Sequence, residues 1–174
     1  MIVSIIGLGL IGGSVGKRLK EVGFADQILG VDLSDENCQK AVELGLVDET
    51  VVFQQAIKLA DLIILAIPVD GMTKLLPALL DQIDDRTTVM DLGSTKEQIC
   101  EVVQGHSNRK SFVAAHPIAG TENSGPEAAF SSLFDGKTGI ICDAEESQVT
   151  SYELAKSCLE SLGMHIIEMD SKSR

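Results

Sequence analysis

The chain has 174 residues and a formal net charge of −12, from 14 basic and 26 acidic side chains. A hydrophobic content of 44% with only four prolines excludes an intrinsically disordered chain, and the length allows one domain, with at most the edge of a second. The acidic excess and the scarcity of aromatic side chains (one Tyr, five Phe, no Trp) argue against a nucleic-acid-binding surface.

Short apolar runs that are typical of buried strands alternate with longer stretches of helical periodicity along most of the chain. In chain order, the pattern predicts a strand at 2–6, a helix at 10–22, a strand at 27–31, a helix at 37–44, a weak strand at 49–53, a helix at 54–59, a strand at 62–67, a helix at 70–83, a strand at 87–91, a helix at 96–104, a strand at 112–115, a loop at 116–125, a short helix at 126–133, a strand at 138–142, a helix at 148–162 and a strand at 165–168. Pro77 lies inside one predicted helix, where we expect a kink or a restart. This alternation requires a mostly parallel sheet with helices on both faces, so the sequence predicts a doubly wound α/β domain of the Rossmann type.

The chain carries no sign of export, membrane insertion or metal binding. Met1 is followed directly by an apolar run without the charged segment of a signal peptide, and no apolar stretch reaches the roughly 20 residues of a membrane span. The spacing of the four cysteines contains no C-x-x-C pair, no zinc pattern and no disulfide framework; they are Cys38, Cys100, Cys142 and Cys158. We therefore expect a cytoplasmic protein with reduced thiols, no metal and no membrane partner.

A glycine-rich motif follows the first predicted strand and opens the first helix. It has the form G-x-G-x-x-G, a pattern that needs its structural context to be meaningful, and its residues are Gly7, Leu8, Gly9, Leu10, Ile11 and Gly12. The first glycine permits a tight turn, the second lets a pyrophosphate approach the backbone, and the third allows close packing of helix on strand. The free N–H groups and the dipole of the helix then bind the anion without a lysine.

Asp32 ends the second predicted strand, 20 residues after Gly12. In this position a carboxylate accepts hydrogen bonds from the ribose hydroxyls of adenosine and repels a 2′-phosphate. No arginine follows among residues 33–36, so the sequence predicts NAD rather than NADP as the cofactor. The alternative is a glycine turn with a surface aspartate and no ligand.

Ligands of open α/β sheets bind outside the carboxyl ends of the strands. Ile67 ends one predicted strand and Pro68 follows it, and both are expected to line the cofactor site. Ser94 and His116 follow or end two other strands. Three strand ends therefore bring polar, glycine or proline residues to the edge where the nicotinamide would bind.

Transfer of a hydride from an alcohol carbon requires a proton acceptor, and a neutral histidine is the usual one. His106 lies in a polar loop and is expected to be solvated, while His165 is interpreted as structural. His116 ends a strand on the expected cofactor edge, so it is the catalytic candidate, with a buried structural histidine as the alternative. Ser94 could fix the tautomer of His116 by a hydrogen bond, or cap the following helix, and both roles are compatible.

Three motifs together resemble the prephenate dehydrogenase family, the NAD-dependent enzymes of tyrosine biosynthesis whose relatives also take arogenate. They are the glycine-rich turn at residues 7–13 with Asp32, the sequence D-L-G-S-T-K at residues 91–96, and the sequence H-P-I-A-G-T-E-N-S-G at residues 116–125. The first motif is generic, but the second and third are specific in this order and spacing. The resemblance extends from residue 1 to about residue 170.

The resemblance implies NAD-dependent oxidative decarboxylation of prephenate to 4-hydroxyphenylpyruvate. His116 matches the family's catalytic histidine, which takes the proton of the ring hydroxyl, and Ser94 matches the serine that orients it and contacts the substrate hydroxyl. Thr121 and Glu122 match loop positions that line the substrate pocket. The implied partner is a small molecule, prephenate or arogenate, between which the sequence does not decide.

Family members continue into a helical domain that forms a homodimer and supplies an arginine for a substrate carboxylate. The sequence predicts an NAD-binding domain at residues 1–170, with residues 171–174 as a polar tail where that helical domain would begin, and the oligomeric state of this chain stays open. We expect the isolated chain to bind NAD but to turn over poorly or not at all.

Two alternatives remain. The 3-hydroxyacid dehydrogenases share the architecture, but they generally use a lysine from their second domain, and the H-P-I-A-G sequence favours prephenate dehydrogenase. A non-catalytic NAD-binding module would bind the nucleotide without chemistry. Replacement of His116 distinguishes this module from an enzyme, since turnover depends on His116 only in the enzyme.

Overall fold

The computed structural model describes residues 1–119 and 123–173 of the chain. Its strands are β1 (Ile2–Ile6), β2 (Gln27–Val31), β3 (Glu49–Thr50), β4 (Leu62–Leu65), β5 (Thr88–Asp91), β6 (Phe112–Pro117), β7 (Thr138–Cys142) and β8 (His165–Met169). Its α-helices are α1 (Leu10–Glu21), α2 (Asp35–Glu43), α3 (Phe53–Leu59), α4 (Val69–Asp81), α5 (Lys96–Val103) and α6 (Val149–Ser161). Short 3₁₀ turns occupy Arg109–Ser111, Pro126–Ala128, Ala144–Glu146 and Ser171–Ser173.

The strands form one sheet in the order β3-β2-β1-β4-β5-β6-β7-β8. Every pairing from β3 to β6 is parallel, β7 runs antiparallel to β6, and β8 is parallel to β7. The central strand β4 is buried along its whole length, as its uninterrupted apolar sequence requires of a strand covered on both faces. The prediction of a doubly wound, mostly parallel α/β sheet is therefore confirmed.

The hydrophobic core has two layers, one on each face of the sheet. One layer joins β1 to α1 and α6 through Val3, Val15 and Ala155. The other layer includes Ile63 of β4, Ile99 of α5 and several leucines of α4. With helices on both faces, the open edge at the carboxyl ends of the parallel strands is the place left for a ligand.

The structure differs from the predicted elements at four places. The strand predicted at 49–53 is reduced to Glu49–Thr50, because Phe53 already begins α3. Helix α4 runs through Pro77 as one element, without the expected restart. Residues 126–133 contain only the 3₁₀ turn Pro126–Ala128 in place of a helix. Strand β6 continues to Pro117, so His116 lies within the strand rather than at its end.

The segment predicted as a polar tail is joined to the domain by a hydrogen bond. The amide of Ser171 donates to Oδ1 of Asp143 at 2.9 Å, and the Ser171 residue is buried.

Within residues 1–119 and 123–173, we find no helix that combines the length and the apolar character needed to cross a bilayer.

Candidate functional site

A cleft of 580 Å³ opens at the carboxyl ends of β1, β2 and β4. Six of the predicted cofactor residues line it, namely Gly7, Leu8, Gly9, Asp32, Ile67 and Pro68. The chain passes from β1 to a helix on one side of the sheet and from β4 to a helix on the other, which is the topological switch point of a doubly wound sheet. The structure therefore assembles most of the predicted cofactor site in one concave place.

The backbone of the turn after β1 explains two of its glycines. Gly7 has a φ of +103°, and a Cβ there would lie 2.4 Å from the carbonyl oxygen of Ala66. A Cβ on Gly12 would lie only 1.8 Å from the carbonyl oxygen of Gly7. These two positions accept glycine alone, because the turn, the end of β4 and the first turn of α1 are packed backbone against backbone.

Gly9 is different, since a Cβ there would meet no atom of the described residues within 4 Å. Gly9 is the N-cap residue of α1 and lines the cleft, so the protein itself does not require a glycine at this position. The space next to its Cα is the space that a pyrophosphate would take. The free space beside Gly9 is the observation that supports binding of a dinucleotide at this turn.

Leu10, Ile11 and Gly12 form the first turn of α1 behind the cleft. They do not line the cleft itself, but the amides of this turn are those left without intrahelical partners at any helix start. No acidic side chain lies in this first turn, so nothing there opposes an anion at the positive end of the helix dipole.

Asp32 lies just beyond β2 and is held by two backbone amides. Its Oδ2 accepts a hydrogen bond from the Leu8 amide at 2.8 Å, and its Oδ1 accepts one from the Ser34 amide at 2.8 Å. Each carboxylate oxygen can accept a second hydrogen bond, so the fixed carboxylate can also receive ribose hydroxyls. The Cys38 thiol donates to the Asp32 carbonyl at 3.5 Å, and burial is the main reason why the pKa of this thiol is raised.

The cleft includes residues that the sequence patterns do not single out. They lie after β2 or at the starts of α3 and α4, and they are Leu33, Asn37, Phe53 and Gly71. Ligands bind outside the carboxyl ends of the strands, and this rule would have indicated Phe53 if β3 had been predicted to end before it. The sequence pattern instead places Phe53 inside the strand predicted at 49–53. Leu33 is fully exposed, which gives the cleft an apolar wall that a flat aromatic base could cover.

The catalytic candidates lie on the next strands of the same sheet edge. His116 is half-buried near the carboxyl end of β6, where it pairs with Ile140 of β7. Ser94 is exposed in the turn between β5 and α5, and the N-cap residue of α5 is Thr95, so the predicted capping role of Ser94 is wrong. Because β1, β4, β5 and β6 are parallel, both residues lie on the edge that carries the cleft. The hydrogen bond between Ser94 and His116 stays a prediction.

The proposed substrate residues Thr121 and Glu122 lie outside the described residues. The segment that follows them returns to α1, where the Phe130 amide donates a 3.0 Å hydrogen bond to Oγ of the buried Ser14. Gly13 faces Ala129 in the same contact, where a Cβ added to Gly13 would lie 3.0 Å from the alanine methyl. Ala129 and Phe130 are thus packed against the helix of the glycine turn.

The other two histidines are placed away from this edge. His106 is not solvated as expected: its Nε2 lies 2.7 Å from Oδ1 of Asp81, and its Nδ1 accepts from the Asn108 amide at 2.9 Å. His165 opens the edge strand β8, where it is exposed. Among the residues that the structure describes, no cluster of three or more His, Cys, Asp or Glu side chains could hold a metal ion.

Comparison with known proteins identifies the family. Residues 15–168 match the family model described as "Prephenate dehydrogenase, nucleotide-binding domain". Prephenate dehydrogenase of Bacillus subtilis is 32% identical over 170 residues, which cover 96% of this chain and 46% of that protein. The chain therefore spans about half the length of this curated relative.

Two solved structures of enzymes with related names are similar to this chain over nearly its whole length. Prephenate dehydrogenase of A. aeolicus, in complex with hydroxyphenyl propionate and NAD⁺, has a TM-score of 0.88 at 31% identity, over 99% of this chain and 61% of that one. Arogenate dehydrogenase of Synechocystis has a TM-score of 0.88 at 30% identity, over the same shares of the two chains. The glycine turn, the cleft and these matches show that the chain belongs to the prephenate dehydrogenase family, of which it is the nucleotide-binding domain.

Proposed function

We propose that this chain is the NAD-binding and catalytic-histidine part of an enzyme that oxidatively decarboxylates prephenate to 4-hydroxyphenylpyruvate. In this proposal residues 1–170 are the NAD-binding domain, and residues 171–174 begin the connection to the remainder of the enzyme. The single observation that carries the proposal is the position of His116 on the sheet edge that also holds the glycine turn and the cleft.

The residues present fit NAD. The turn of Gly7, Gly9 and Gly12 would hold the pyrophosphate, Asp32 would hold the adenosine ribose, and Ile67 with Pro68 would form the opposite wall. The absence of an arginine near Asp32 in the sequence favours NAD over NADP, because a 2′-phosphate would meet the carboxylate without a compensating cation. When bound, NAD accepts a hydride.

The protein's own part in the reaction is to hold substrate and to manage one proton. The hydride leaves the ring carbon that bears the hydroxyl, the ring carboxylate leaves as carbon dioxide, and the electron pair of that broken bond completes the aromatic ring. His116 accepts the hydroxyl proton as the hydride leaves and the C–O bond becomes a carbonyl, and it returns the proton to the phenolate oxygen that loss of carbon dioxide creates. Ser94 orients His116 and contacts the same hydroxyl. Thr121 and Glu122 line the substrate pocket in this proposal.

The test is turnover of prephenate with NAD, monitored as NADH absorbance, in the full-length enzyme that contains this domain, with and without the change His116→Asn. We expect His116→Asn to lower kcat by about 10²–10⁴-fold, the usual contribution of a general base, with NAD affinity unchanged. His165→Asn is the matched control, because this exposed histidine lies on the edge strand. Full turnover in His116→Asn would reject the catalytic role of His116, whereas a wild-type protein that binds NAD without turnover would favour a non-catalytic NAD-binding module.

Arogenate in place of prephenate forms the second arm of the same assay. Both substrates share the ring hydroxyl and ring carboxylate on which the chemistry depends, so His116 is expected to matter equally for both. The ratio of the two kcat/KM values then assigns the substrate within this family.

A further inference from the structure

Strand β6 runs further than its neighbour β5, and this leaves part of its backbone without a strand on the β5 side. The last pairing between the two strands joins Asp91 to Ala114, after which the chain leaves the sheet through residues 92–95. Ala115 therefore has no partner residue on β5, and His116 follows it directly. A buried backbone amide and carbonyl cannot be left unsatisfied without a cost in stability.

Two side chains take the place of the missing strand. Oδ1 of Asp91 accepts a hydrogen bond from the Ala115 amide at 3.1 Å, and Nζ of Lys96 donates to the Ala115 carbonyl at 2.6 Å. Lys96 also donates to Oδ2 of Asp91, and the same oxygen accepts the Gly93 amide at 2.9 Å. Both backbone groups of the residue before His116 are thus bound to one ion pair.

This ion pair is fully buried, with no exposed side-chain area on either Asp91 or Lys96. Removing two charges from water is unfavourable enough that an apolar pair of similar volume often gives equal or greater stability. Stability alone is therefore a weak reason for the pair. The pair is distinguished by the segments that its hydrogen bonds join: the turn that carries Ser94 and the strand that carries His116.

We infer that Asp91 and Lys96 form a positioning pair that fixes His116 and Ser94 relative to each other. The inference rests on the proposed function, in which His116 is the proton acceptor. Neither member of the pair touches substrate, because both are buried below the sheet edge; they act through the backbone of Ala115 and of the 92–95 turn.

The experiment is nitrogen-15 NMR of the histidine rings in the chain, which reports the tautomer of each neutral imidazole. The signal of His116 is assigned by its absence in His116→Asn, and His106 and His165 serve as internal references. Lys96→Met removes the donor to Ala115, and the double variant Asp91→Asn with Lys96→Met removes it without leaving an unpaired charge. We expect both variants to lose the single dominant tautomer of His116, while the other two histidines stay unchanged.

Thr88→Val is the matched control. Thr88 is a buried polar residue of the same strand, and its hydroxyl donates to Oγ of Ser151 at 2.9 Å, at the opposite end of β5. This change breaks a buried hydrogen bond without touching Ala115, so His116 should keep its wild-type signal. An unchanged His116 in the folded Lys96 variants, an equal change in Thr88→Val, or failure of both Lys96 variants to fold would reject the positioning role.

Turnover separates this inference from the function on which it rests. In the full-length enzyme, we expect the Lys96 variants to lower kcat by about a hundredfold with KM for NAD unchanged, since a displacement of about 1 Å in a catalytic group has an effect of this order. If His116→Asn retains full turnover, the proposed function fails, and the NMR result still shows whether the pair orients His116.

Discussion

The backbone amide of Leu8 donates a 2.8 Å hydrogen bond to Oδ2 of Asp32, which joins the glycine turn after β1 to the end of β2. The two segments are also joined by the Gly7 amide, which donates to the Val31 carbonyl at 2.8 Å. Asp32 therefore holds the shape of the turn, and in the proposed function it also presents a carboxylate to the ribose. A change of this side chain tests both at once.

We predict that Asp32→Asn weakens NAD binding while the domain stays folded. The amide oxygen of asparagine can still accept one backbone N–H, but the charge that attracts the ribose hydroxyls is lost. Hydrogen bonds to charged groups contribute about 1.5–3 kcal/mol, so the affinity should fall by roughly one to two orders of magnitude. Isothermal titration with NAD and NADP measures this effect.

The same titration tests the preference for NAD. The wild type should bind NADP clearly more weakly than NAD, and Asp32→Asn should narrow that difference because the repulsion of the 2′-phosphate is gone. Asp35→Asn, an exposed carboxylate in the first turn of α2, is the control for a general change of charge. Equal affinity of the wild type for both nucleotides contradicts the role given to Asp32.

Gly9 and Gly12 provide a matched pair of changes in one turn. Gly12→Ala places a methyl group 1.8 Å from a backbone oxygen and should lower the free energy of unfolding by about 3 kcal/mol or more. The Gly9→Ala methyl group meets none of the atoms that the structure describes within 4 Å and should change that free energy by less than roughly 0.5 kcal/mol.

NAD binding should be sensitive to the change at Gly9 even though folding is not. Gly9→Ala is expected to lose at least about tenfold in affinity for NAD, or 1.4 kcal/mol, because its methyl group occupies the place of the pyrophosphate. Urea denaturation and titration on the two variants give both quantities. Wild-type NAD affinity in Gly9→Ala would show that the pyrophosphate does not bind at this turn.

Local patterns are sufficient to predict the parts of the site that depend on neighbouring residues in the chain. The glycine turn follows from an apolar strand that stops at Gly7 and a helix that begins at Leu10, and Asp32 follows from its place after a second strand. The parallel sheet with helices on both faces follows from the handedness of strand–helix–strand units. Each of these features depends on residues that are close together in the sequence.

Long-range contacts explain the features that local patterns do not predict. The extension of β6 through His116 depends on side chains of Asp91 and Lys96, which come from another strand and another helix. His106 is expected in solvent because its loop is polar, but Asp81 lies 25 residues away in sequence and 2.7 Å away in space. Such pairings carry no local periodicity, so single-sequence patterns do not contain them.

Tyr152 provides a pH-dependent test. It is the only tyrosine and the chain has no tryptophan, so ultraviolet absorbance reports its ionisation directly. Its hydroxyl donates to Oε2 of Glu168 at 2.5 Å, and this hydrogen bond, with burial and the nearby carboxylates, raises the pKa of Tyr152 to about 12. The folded state thus favours the protonated phenol, and its stabilising contribution should disappear as pH rises from about 10 through about 12.

Glu168→Gln should return the Tyr152 pKa toward its ordinary value of about 10. Glu153→Gln is the control, because Glu153 acts on Tyr152 only as a nearby charge and is a smaller cause of the raised pKa. Spectrophotometric titration of the wild type and the two variants measures the midpoint of Tyr152 ionisation in each. Identical midpoints in the wild type and Glu168→Gln would show that the hydrogen bond to Glu168 does not form in solution.

The contact between Ser14 and Phe130 gives the last prediction. Ser14 is buried in α1, and its Oγ accepts the Phe130 amide, which belongs to the chain segment after His116. Ser14→Ala leaves that amide without its acceptor and should lower the free energy of unfolding by about 1–3 kcal/mol, as measured by urea denaturation. Ser132→Ala, an exposed change in the same segment, should have almost no effect. If the two variants prove equally stable, this hydrogen bond does not hold the segment to α1, and residues 129–130 contact α1 by apolar packing instead.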